Sequence, residues 1–478
     1  MNEIIGRQKE IEKFSNFYHS KKAEFIAVYG RRRIGKTFIV RQLYQNEWCF
    51  YHTGLSPMES EQNTGSMKER QLLNFASSLR QFGSNYENVP ATWMEAFDQL
   101  IDLLRRYRKR KRCVVFIDEL PWMDTDRSGF MSAFEHFWNG WASAQPNIML
   151  IVCGSATSWM EDKLINNKGG LYGRITGEIH LAPFTLEECN LYYASRGIKM
   201  DYYDQVQCYM IMGGVPFYMD YLQKSNSLAQ NIDQIFFDSH APLRNEFERL
   251  FTSLFVNPDT YIKVVKLLAA RREGFLRSEI ATLANIPYGG GLTKILTILR
   301  VNDFIVDYIP YGRSQRERRY RLTDSFCLFY LHFMEKKKQY PTFWQDNLLS
   351  PSLNAWRGFS FETVCFCHIN KIKEALGITG VHCEIAPCRL KSDNGNHQID
   401  LVIDRADRVV NLCEIKYANS EYVITKKYDM ELRSRTQAFM DAYGSRKTVH
   451  LTMITTYGLS KNEYTGHIQK SLTIDAFF

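Results

Sequence analysis

The segment that most constrains this chain is Gly30–Thr37, which has the sequence Gly-Arg-Arg-Arg-Ile-Gly-Lys-Thr. It follows an apolar run over Phe25–Tyr29 that is typical of a buried strand, and Phe38–Tyr44 continues with helical apolar spacing. A strand, a glycine-containing loop and a helix together bind phosphate through backbone N–H groups and the helix N-terminus. In this arrangement Lys36 reaches the β- and γ-phosphates, and Thr37 offers its hydroxyl to Mg²⁺. The predicted contacts with a nucleoside triphosphate are Gly30, Arg31, Arg32, Arg33, Ile34, Gly35, Lys36, Thr37 and Phe38.

Two carboxylates follow a second apolar run, Cys113–Ile117. Because the carboxyl ends of parallel strands meet at one sheet edge, Asp118 and Glu119 are expected near the phosphates. We expect Asp118 to hold Mg²⁺ through its water shell and Glu119 to act as the general base on the attacking water. A third apolar run, Ile148–Cys153, leads to Ser155, which either contacts the γ-phosphate or the attacking water, or caps a helix.

Length, charge and cysteine usage limit the class of protein. A chain of 478 residues predicts about two to four domains. The net charge of +8 permits a nucleic-acid partner without requiring one. The eleven cysteines lack C-x-x-C spacing, which argues against a zinc site and disulfides and favours a reduced, cytoplasmic protein. The apolar runs are shorter than a bilayer-spanning helix needs, so we expect no membrane association.

Several motifs resemble the prokaryotic "archaeal ATPase" family, which consists of P-loop ATPases of the AAA+ and STAND type. The resemblance covers the Walker A loop at Gly30–Thr37 and the Walker B strand end Phe116–Glu119. It also includes Ile5-Gly6-Arg7-x-x-Glu10, Leu171-Tyr-Gly-Arg174 and Gly213-Gly214-Val215-Pro216.

This resemblance implies ATP and Mg²⁺ as cofactors and gives roles to residues outside the loop. Ile5, Gly6 and Arg7 would lie near the adenine, and Pro216 would open a helical lid that closes over it. Arg174 would present its guanidinium to the γ-phosphate, within its own subunit or across a homo-oligomer interface. Alternatively, Arg174 only satisfies a loop or a helix end.

Residues 258–330 have the pattern of three helices followed by a basic hairpin. The helices are predicted over Tyr261–Ala270, from Ser278 and over Leu292–Val301, and the order resembles a winged helix-turn-helix. By this resemblance the third helix reads DNA and the wing contacts phosphates, unless the module only docks proteins. The candidate contacts are Thr293, Lys294, Thr297, Arg300, Arg313, Arg316, Arg318 and Arg319. A second basic run, Arg105–Arg112, is predicted to be an exposed helix end, with a nucleic-acid track as the alternative.

The C-terminal segment places acidic residues and a lysine on regular elements. Glu362 is predicted on the first turn of a helix that begins near Gly358. Asp400 lies within a predicted strand, and alternation puts Glu414 and Lys416 on one face of the next. This set resembles the PD-(D/E)xK restriction-endonuclease-like fold.

The resemblance implies that Asp400 and Glu414 bind a metal ion with help from Glu362. Lys416 would orient the water or stabilise the developing charge. The alternatives are charges placed by chance on a solvent-facing strand, and a fold that has lost cleavage and serves for binding or assembly.

The predicted fold class is α/β, with four parts. They are a P-loop ATPase core with a parallel sheet over residues 1–182, a helical lid over 183–240, a winged helix over 241–345 and a nuclease-like domain over 346–478. The composition shifts after Lys336–Lys338, and Pro341 and Pro351 mark a linker or an interdomain helix. The favoured function is an ATPase switch that positions a DNA-cleaving effector. The alternatives are a regulatory or scaffolding ATPase, and a DNA-maintenance ATPase with a degenerate nuclease fold.

Overall fold

A computed structural model describes residues 3–56, 65–156, 159–166, 169–255, 257–335, 340–392, 395–444 and 446–478. Lys336–Lys338, after which the sequence predicts a linker or an interdomain helix, lie outside these ranges. The chain divides into two compact units, Met1–Pro183 and Phe184–Phe478. The first unit ends one residue beyond the predicted end of the ATPase core, and the predicted boundaries at residues 240 and 345 stay predictions.

A parallel sheet organises the first unit. Its strands, in the order β2-β3-β4-β1-β5, pair only in parallel. They are β1 at Glu24–Tyr29, β2 at Trp48–Thr53, β3 at Cys113–Asp118, β4 at Ile148–Gly154 and β5 at Gly177–His180. The strands predicted before Gly30, Asp118 and Ser155 are therefore confirmed. Gly30 and Ser155 follow β1 and β4, and Asp118 is the last residue of β3, so all three lie at the same sheet edge.

Helices cover both faces of this sheet, as a parallel sheet buried on both sides requires. They are α1 at Gln8–His19, α2 at Lys36–Tyr44, α3 at Met67–Gln81, α4 at Trp93–Arg105 and α5 at Phe130–Gly140. Alternate residues of β1 enter opposite cores: Phe25 packs with Trp93 and Phe97, whereas Ile26 packs with Phe14 and Ile39. This packing fixes β1 and α2, the two elements that flank the glycine loop.

The basic run after α4 is exposed as predicted except at its last residue. Arg112 is only 3% exposed, and its guanidinium donates to the carbonyl oxygens of Phe17 at 2.7 Å, Lys22 at 2.9 Å and Pro146 at 3.1 Å. The prediction of an exposed side chain was wrong for Arg112, because carbonyls near the C-terminal end of α1 provide a buried cation with acceptors.

The second unit begins with short helices. They are α6 at Leu186–Ser195, α7 at Tyr202–Met212, α8 at Pro216–Met219, α9 at Leu228–Ile232, continued by a π-helical turn at Asp233–Phe237, and α10 at Glu246–Leu254. Gly213 and Gly214 separate α7 from α8 with φ angles of 64° and 66°. A Cβ at Gly214 would lie 2.2 Å from the carbonyl oxygen of Phe184, so this turn requires glycine.

The next elements match the predicted three helices and hairpin. They are α11 at Pro258–Ala269, β6 at Phe275–Leu276, α12 at Arg277–Leu283, α13 at Gly290–Val301, β7 at Ile305–Tyr308 and β8 at Arg319–Leu322. The strands form an antiparallel sheet in the order β6-β8-β7. Helix α12 begins before the predicted Ser278 because Glu279 accepts a 2.7 Å hydrogen bond from the Leu276 N–H and so closes the first turn.

A second five-stranded sheet lies near the C-terminus. The helices are α14 at Ser325–Phe329, continued by a π-helical turn at Tyr330–Met334, α15 at Phe343–Asp346, α16 at Pro351–Cys367, α17 at Ile369–Ala375 and α18 at Lys426–Tyr443. The strands are β9 at Cys383–Ser392, β10 at Gly395–Arg405, β11 at Val409–Lys416, β12 at Thr448–Thr455 and β13 at Lys470–Leu472. Strands β9, β10 and β11 form an antiparallel meander, and α18 crosses over to β12, which is parallel to β11.

The predicted start of the helix that carries Glu362 was wrong. Helix α16 starts at Pro351, where the Ser350 hydroxyl accepts a 3.2 Å hydrogen bond from the Leu353 N–H and caps the helix. Gly358 therefore lies inside the helix, and Glu362 lies in its interior rather than on its first turn.

Other sequence expectations concern cysteines and membranes. All eleven cysteines are free thiols, which agrees with the argument against disulfides. Within the described residues, no helix combines the length and apolar character that crossing a membrane requires.

Candidate functional site

The first candidate site is the loop between β1 and α2. Gly30 has a φ angle of 137° and Gly35 one of 89°. A Cβ at Gly30 would lie 2.2 Å from the Leu181 carbonyl oxygen, so both the backbone angle and the space demand glycine. Helix α2 begins directly after the loop at Lys36, which directs its unpaired backbone N–H groups toward the loop.

Lys36 is buried over this loop. Its Nζ donates to the carbonyl oxygens of Gly30 and Arg31, both at 2.9 Å, and the residue is 6% exposed. An ammonium group carries three N–H donors, so these two bonds leave one for a phosphate oxygen. The loop therefore holds a positive charge where the helix N-terminus also favours an anion.

Thr37 and Asp118 connect the loop to strand β3. The Thr37 hydroxyl donates to Asp118 Oδ2 at 2.7 Å, and Asp118 Oδ1 accepts from the Glu119 N–H at 3.0 Å. Because Thr37 gives its hydrogen to the carboxylate, its oxygen lone pairs remain available to a cation. The hydroxyl and carboxylate oxygens are hard ligands of the kind that Mg²⁺ prefers, so the residues fit this metal.

Glu119 is held in an unusual backbone conformation beside Ser155. Its φ angle is 48°, in the left-handed region that non-glycine residues seldom adopt. Its Oε2 accepts hydrogen bonds from the Ser155 N–H at 3.0 Å and the Ser155 hydroxyl at 2.8 Å. Burial raises the pKa of Glu119 above its ordinary value. A fixed carboxylate with a raised pKa is suited to accept a proton from water near neutral pH.

The alternative role of Ser155 as a helix cap stays a prediction, because residues 157 and 158 lie outside the described ranges. Ser155 donates two hydrogen bonds to Glu119, and it is 2% exposed. A direct contact of Ser155 with phosphate or water stays a prediction.

The segment Ile5–Arg7, predicted to lie near the adenine, is connected to the phosphate loop by a hydrogen bond. Gly6 and Arg7 have φ angles of 63° and 60°, and the Arg7 guanidinium donates to the carbonyl oxygen of Ile34 at 3.3 Å. This bond brings the segment that contains Ile5 to the phosphate loop. Within the loop, Arg31 and Ile34 are buried and Arg32 and Arg33 are half-buried, while Phe38 on α2 is exposed.

Arg174 and Pro216 retain their assignments only as predictions. Arg174 is exposed and lies beside Tyr172, which is 75% exposed. Pro216 is the first residue of α8, in the second unit. Their contacts with a nucleotide follow from the resemblance alone.

The second candidate site lies on the C-terminal sheet. Lys416 Nζ is 3.7 Å from Asp400 Oδ2 and 3.6 Å from Glu414 Oε2. The prediction that Glu414 and Lys416 share one face of β11 is therefore confirmed. Burial opposes the charge on Lys416, but the Asp400 and Glu414 carboxylates outweigh it and raise the pKa of Lys416.

Residues that were not predicted complete this cluster. Glu414 Oε2 accepts from Arg435 Nη1 at 2.6 Å and from the Tyr428 hydroxyl at 3.1 Å, both on α18. Asp400 Oδ2 accepts from the Ile415 N–H at 3.0 Å. Burial raises the pKa of Glu414. The sequence signal for Arg435 was weak, because α18 contains several basic residues and only the fold selects the one that faces β11.

Glu362 lies beside Asp400 but has its own cation. Its Oε2 is 3.1 Å from Arg272 Nη2, and burial followed by the Asp400 charge raises the pKa of Glu362 to about 7. Among the described residues, no group of three or more His, Cys, Asp and Glu side chains is arranged to hold a metal ion. Mg²⁺ at phosphoryl-transfer sites needs only one or two carboxylates together with substrate oxygens, and Asp400 with Glu414 fits that smaller set.

Comparison with known proteins agrees with the geometry of the first site. Residues 4–222 match the family model described as "ATPase domain predominantly from Archaea". The uncharacterized protein MJECL04 of Methanocaldococcus jannaschii is 24% identical over 346 residues, which are 69% of each chain. The uncharacterized ATP-binding protein MJ0423 of the same organism is 35% identical over 44 residues, 75% of its length and 9% of this chain.

Solved structures give more distant likenesses. The Walker-type ATPase PABY2304 of Pyrococcus abyssi is 16% identical with a TM-score of 0.47, over 69% of this chain and 96% of that one. The ORC2 protein of Aeropyrum pernix, solved with ADPNP and ADP, is 14% identical with a TM-score of 0.40, over 69% of this chain and 93% of that one. Neither likeness adds to what the family match and the loop geometry establish. This chain is therefore a P-loop ATPase that carries, over residues 4–222, an ATPase domain of the predominantly archaeal family.

Proposed function

We propose that this protein hydrolyses ATP as a switch for a DNA-binding winged helix, over 241–345, and a metal-dependent nuclease-like domain, over 346–478. The observation that supports the nuclease-like function is the position of Lys416 near the carboxylates of both Asp400 and Glu414. Two acids and a lysine provide metal ligands and a cation beside the nucleophile, which phosphodiester hydrolysis requires.

In the proposed ATPase step, the chain binds and orients the triphosphate. The backbone N–H groups of Gly30–Thr37 and the Lys36 ammonium hold the phosphates. Thr37 and Asp118 hold Mg²⁺, which when bound neutralises charge on the phosphate oxygens. Glu119, fixed by Ser155, takes the proton of the attacking water.

Arg174 is proposed to stabilise the transition state from a neighbouring subunit, since its exposed position leaves it accessible to another copy. Mixing Arg174→Ala protein with Glu119→Gln protein tests this. If the arginine acts in trans, the mixture regains hydrolysis that neither variant has alone. An unchanged sum of the two separate activities would assign Arg174 to its own subunit or to a structural role.

In the nuclease-like domain, the contacts of both acids suit a metal ligand role. Their hydrogen bonds and ion pairs within the described residues fall on Asp400 Oδ2 and Glu414 Oε2, which leaves Asp400 Oδ1 and Glu414 Oε1 as ligand atoms. Glu362 would assist after it separates from Arg272. Lys416 would hold the attacking water or the developing negative charge.

The alternative function is a regulatory or scaffolding ATPase whose C-terminal domain binds a partner or DNA without cleavage. Two contacts favour it: Arg435 lies 2.6 Å from Glu414 and Arg272 lies 3.1 Å from Glu362, so protein cations already neutralise these acids. A DNA-maintenance ATPase with a degenerate nuclease fold is consistent with the same contacts.

A plasmid-nicking assay separates these functions. Full-length protein is incubated with supercoiled plasmid and Mg²⁺ or Mn²⁺, with ATP, ADP or no nucleotide. We expect nicking by the wild type, none by Lys416→Ala, and wild-type nicking by the exposed control Lys391→Ala. In Lys36→Ala, the dependence on nucleotide should disappear. Absence of nicking in every nucleotide state would favour the scaffolding function.

A further inference from the structure

A cleft of about 260 Å³ lies within the second unit, between the β7–β8 hairpin and the C-terminal sheet. Glu362 and Asp400 line it together with arginines from both sides, among them Arg319, Arg321 and Arg389. The cleft therefore joins the basic hairpin to the acids of the second site.

The tip of the hairpin is fixed to the C-terminal domain. The Tyr311 hydroxyl donates to Asp404 Oδ2 at 2.8 Å, and the Tyr443 hydroxyl donates to the Tyr311 carbonyl oxygen at 3.1 Å. A Cβ at Gly312 would lie 2.2 Å from the Tyr443 ring, so the chain packs closely there. The hairpin predicted to be the wing thus forms one wall of the cleft.

Three arginines of the cleft already have carboxylate partners. Their ion pairs are Arg272 with Glu362 at 3.1 Å, Arg313 with Glu317 at 3.6 Å and Arg389 with Glu273 at 3.1 Å. In each pair the carboxylate offsets the charge of the arginine.

Arg319 and Arg321 differ from these three. Arg319 donates to the Gly274 carbonyl oxygen at 3.2 Å, and Arg321 donates to the Thr363 hydroxyl at 2.7 Å. Neither forms an ion pair with a carboxylate of the described residues. They alternate on β8, so they share one face of the strand about 6.7 Å apart. Arg321 also reaches the helix that carries Glu362, and its charge lowers the pKa of Glu362 against the larger effect of burial.

We propose that this cleft binds the backbone of single-stranded DNA, with Arg319 and Arg321 contacting successive phosphates on a path to Asp400. A cleft of about 260 Å³ is too small to enclose a DNA duplex, whereas a single backbone can lie along it. Positive grooves that follow one backbone are the usual sites for single strands. That the strand leads to Asp400 rests on the proposed nuclease-like function, whereas binding of the strand requires neither metal nor cleavage.

Fluorescence anisotropy with the full chain in EDTA tests this inference. The probes are a labelled thymidine oligonucleotide of about 20 nucleotides, a uridine oligonucleotide of equal length and a DNA duplex of equal length. We expect the DNA single strand to bind most tightly. Arg319→Gln and Arg321→Gln should each weaken it about tenfold and lower the slope of log affinity against log salt by about 0.7.

Matched variants separate lost contacts from lost folding. Arg433→Gln removes an arginine that is 62% exposed and lies outside the cleft and should bind as the wild type does, while Arg319→Lys should keep the salt slope. Unchanged binding by Arg319→Gln and Arg321→Gln, equal weakening by Arg433→Gln, or a preference for duplex or RNA would overturn the inference. Binding of the single strand without plasmid nicking would contradict only the proposed cleavage. Plasmid nicking together with unchanged strand binding by Arg319→Gln and Arg321→Gln would contradict only this inference.

Discussion

The two acidic sites of this protein differ in what their carboxylates contact. In the first unit, the Asp118 carboxylate accepts from the Thr37 hydroxyl, and Glu119 accepts from the Ser155 N–H and hydroxyl. These donors are neutral. In the second unit, the acids contact cations: Asp400 lies near Lys416, and Glu414 is bound by Arg435.

The carboxylates of the first site are therefore hydrogen-bonded to neutral groups, whereas those of the second site form ion pairs with Lys416 and Arg435. The charge of Lys36 lowers the pKa of Glu119 against the larger effect of burial, but its ammonium is bound to loop carbonyls. A divalent ion can therefore join Thr37 and Asp118 without displacing a protein cation. At the second site Arg435 and Lys416 already offset the charge of Glu414, so a metal ion on Glu414 Oε1 would be stabilised less than at a carboxylate without a protein cation.

The largest predicted effect is the loss of stability caused by Arg435→Met. Glu414 is 2% exposed, so removal of Arg435 leaves this buried carboxylate with Lys416 as its remaining cation and should lower the free energy of unfolding by about 3 kcal/mol. Mn²⁺ should then raise the melting temperature of Arg435→Met more than that of the wild type, because the ion replaces the lost charge. The control is Arg433→Met on the same helix, whose side chain is 62% exposed. An equal rise of the melting temperature with Mn²⁺ in the wild type and both variants would contradict this effect of Arg435 on metal binding.

A second effect concerns nucleotide affinity at the first site. Lys36→Ala removes a buried ammonium from the phosphate loop and should weaken ATP binding by about 3 kcal/mol, roughly a hundredfold. Isothermal titration measures this directly. Arg41→Ala is the control, since Arg41 lies one turn farther along α2 and contacts the Tyr51 hydroxyl. Similar losses in both variants would indicate a general effect on α2.

Each unit also contains a buried histidine that is neutral when folded. Burial lowers the pKa of His52 to about 3 and that of His368 to about 4, from an ordinary value of 6.5. The unfolded chain therefore gains protons first, and stability falls as pH drops below 6.5. Between pH 7 and pH 5 each histidine should remove about 2 kcal/mol of stability.

Urea unfolding at these two pH values checks the histidine prediction. In His368→Gln the acid-dependent loss should shrink by about 2 kcal/mol, because the unfolded variant no longer gains this proton. The exposed His136→Gln should behave as the wild type does. A loss of equal size in His368→Gln would show that other groups cause the acid sensitivity.

The smallest effect is predicted for Ser155→Ala. This change removes one of the two hydrogen bonds that hold Glu119, and we expect ATP hydrolysis to fall about tenfold, or about 1.4 kcal/mol. The Ser155 hydroxyl lowers the pKa of Glu119 against the larger effect of burial. Its loss should therefore move the acidic limb of the pH–rate profile to higher pH. An unchanged limb with reduced activity would mean that Ser155 acts elsewhere.

The sequence predicted the first site well because its chemistry is local and ordered along the chain. The glycines, Lys36 and Thr37 lie in one loop, and parallel strands must bring Asp118 to the same sheet edge. The bond from Arg7 to the Ile34 carbonyl was less accessible to sequence reasoning, since it depends on the left-handed backbone at Gly6 and Arg7.

The second site was only partly predictable, because its partners come from distant elements. Alternation along β11 was enough to put Glu414 and Lys416 on one face. Arg435 and Arg272 could not be chosen from sequence, since each is one of several basic residues on its segment and only tertiary packing decides which one meets an acid. The start of α16 was missed because Gly358 was taken as a helix boundary, although packing tolerates glycine inside a long helix.

The most direct test of the ATPase assignment is single-turnover hydrolysis by Glu119→Gln beside ATP binding by the same protein. Glutamine keeps an oxygen that can accept from Ser155 but cannot take the proton from water. We predict wild-type ATP affinity with hydrolysis slowed by about 10²–10⁴-fold. Hydrolysis at the wild-type rate would contradict the role of Glu119 and, with it, the proposed use of the first site.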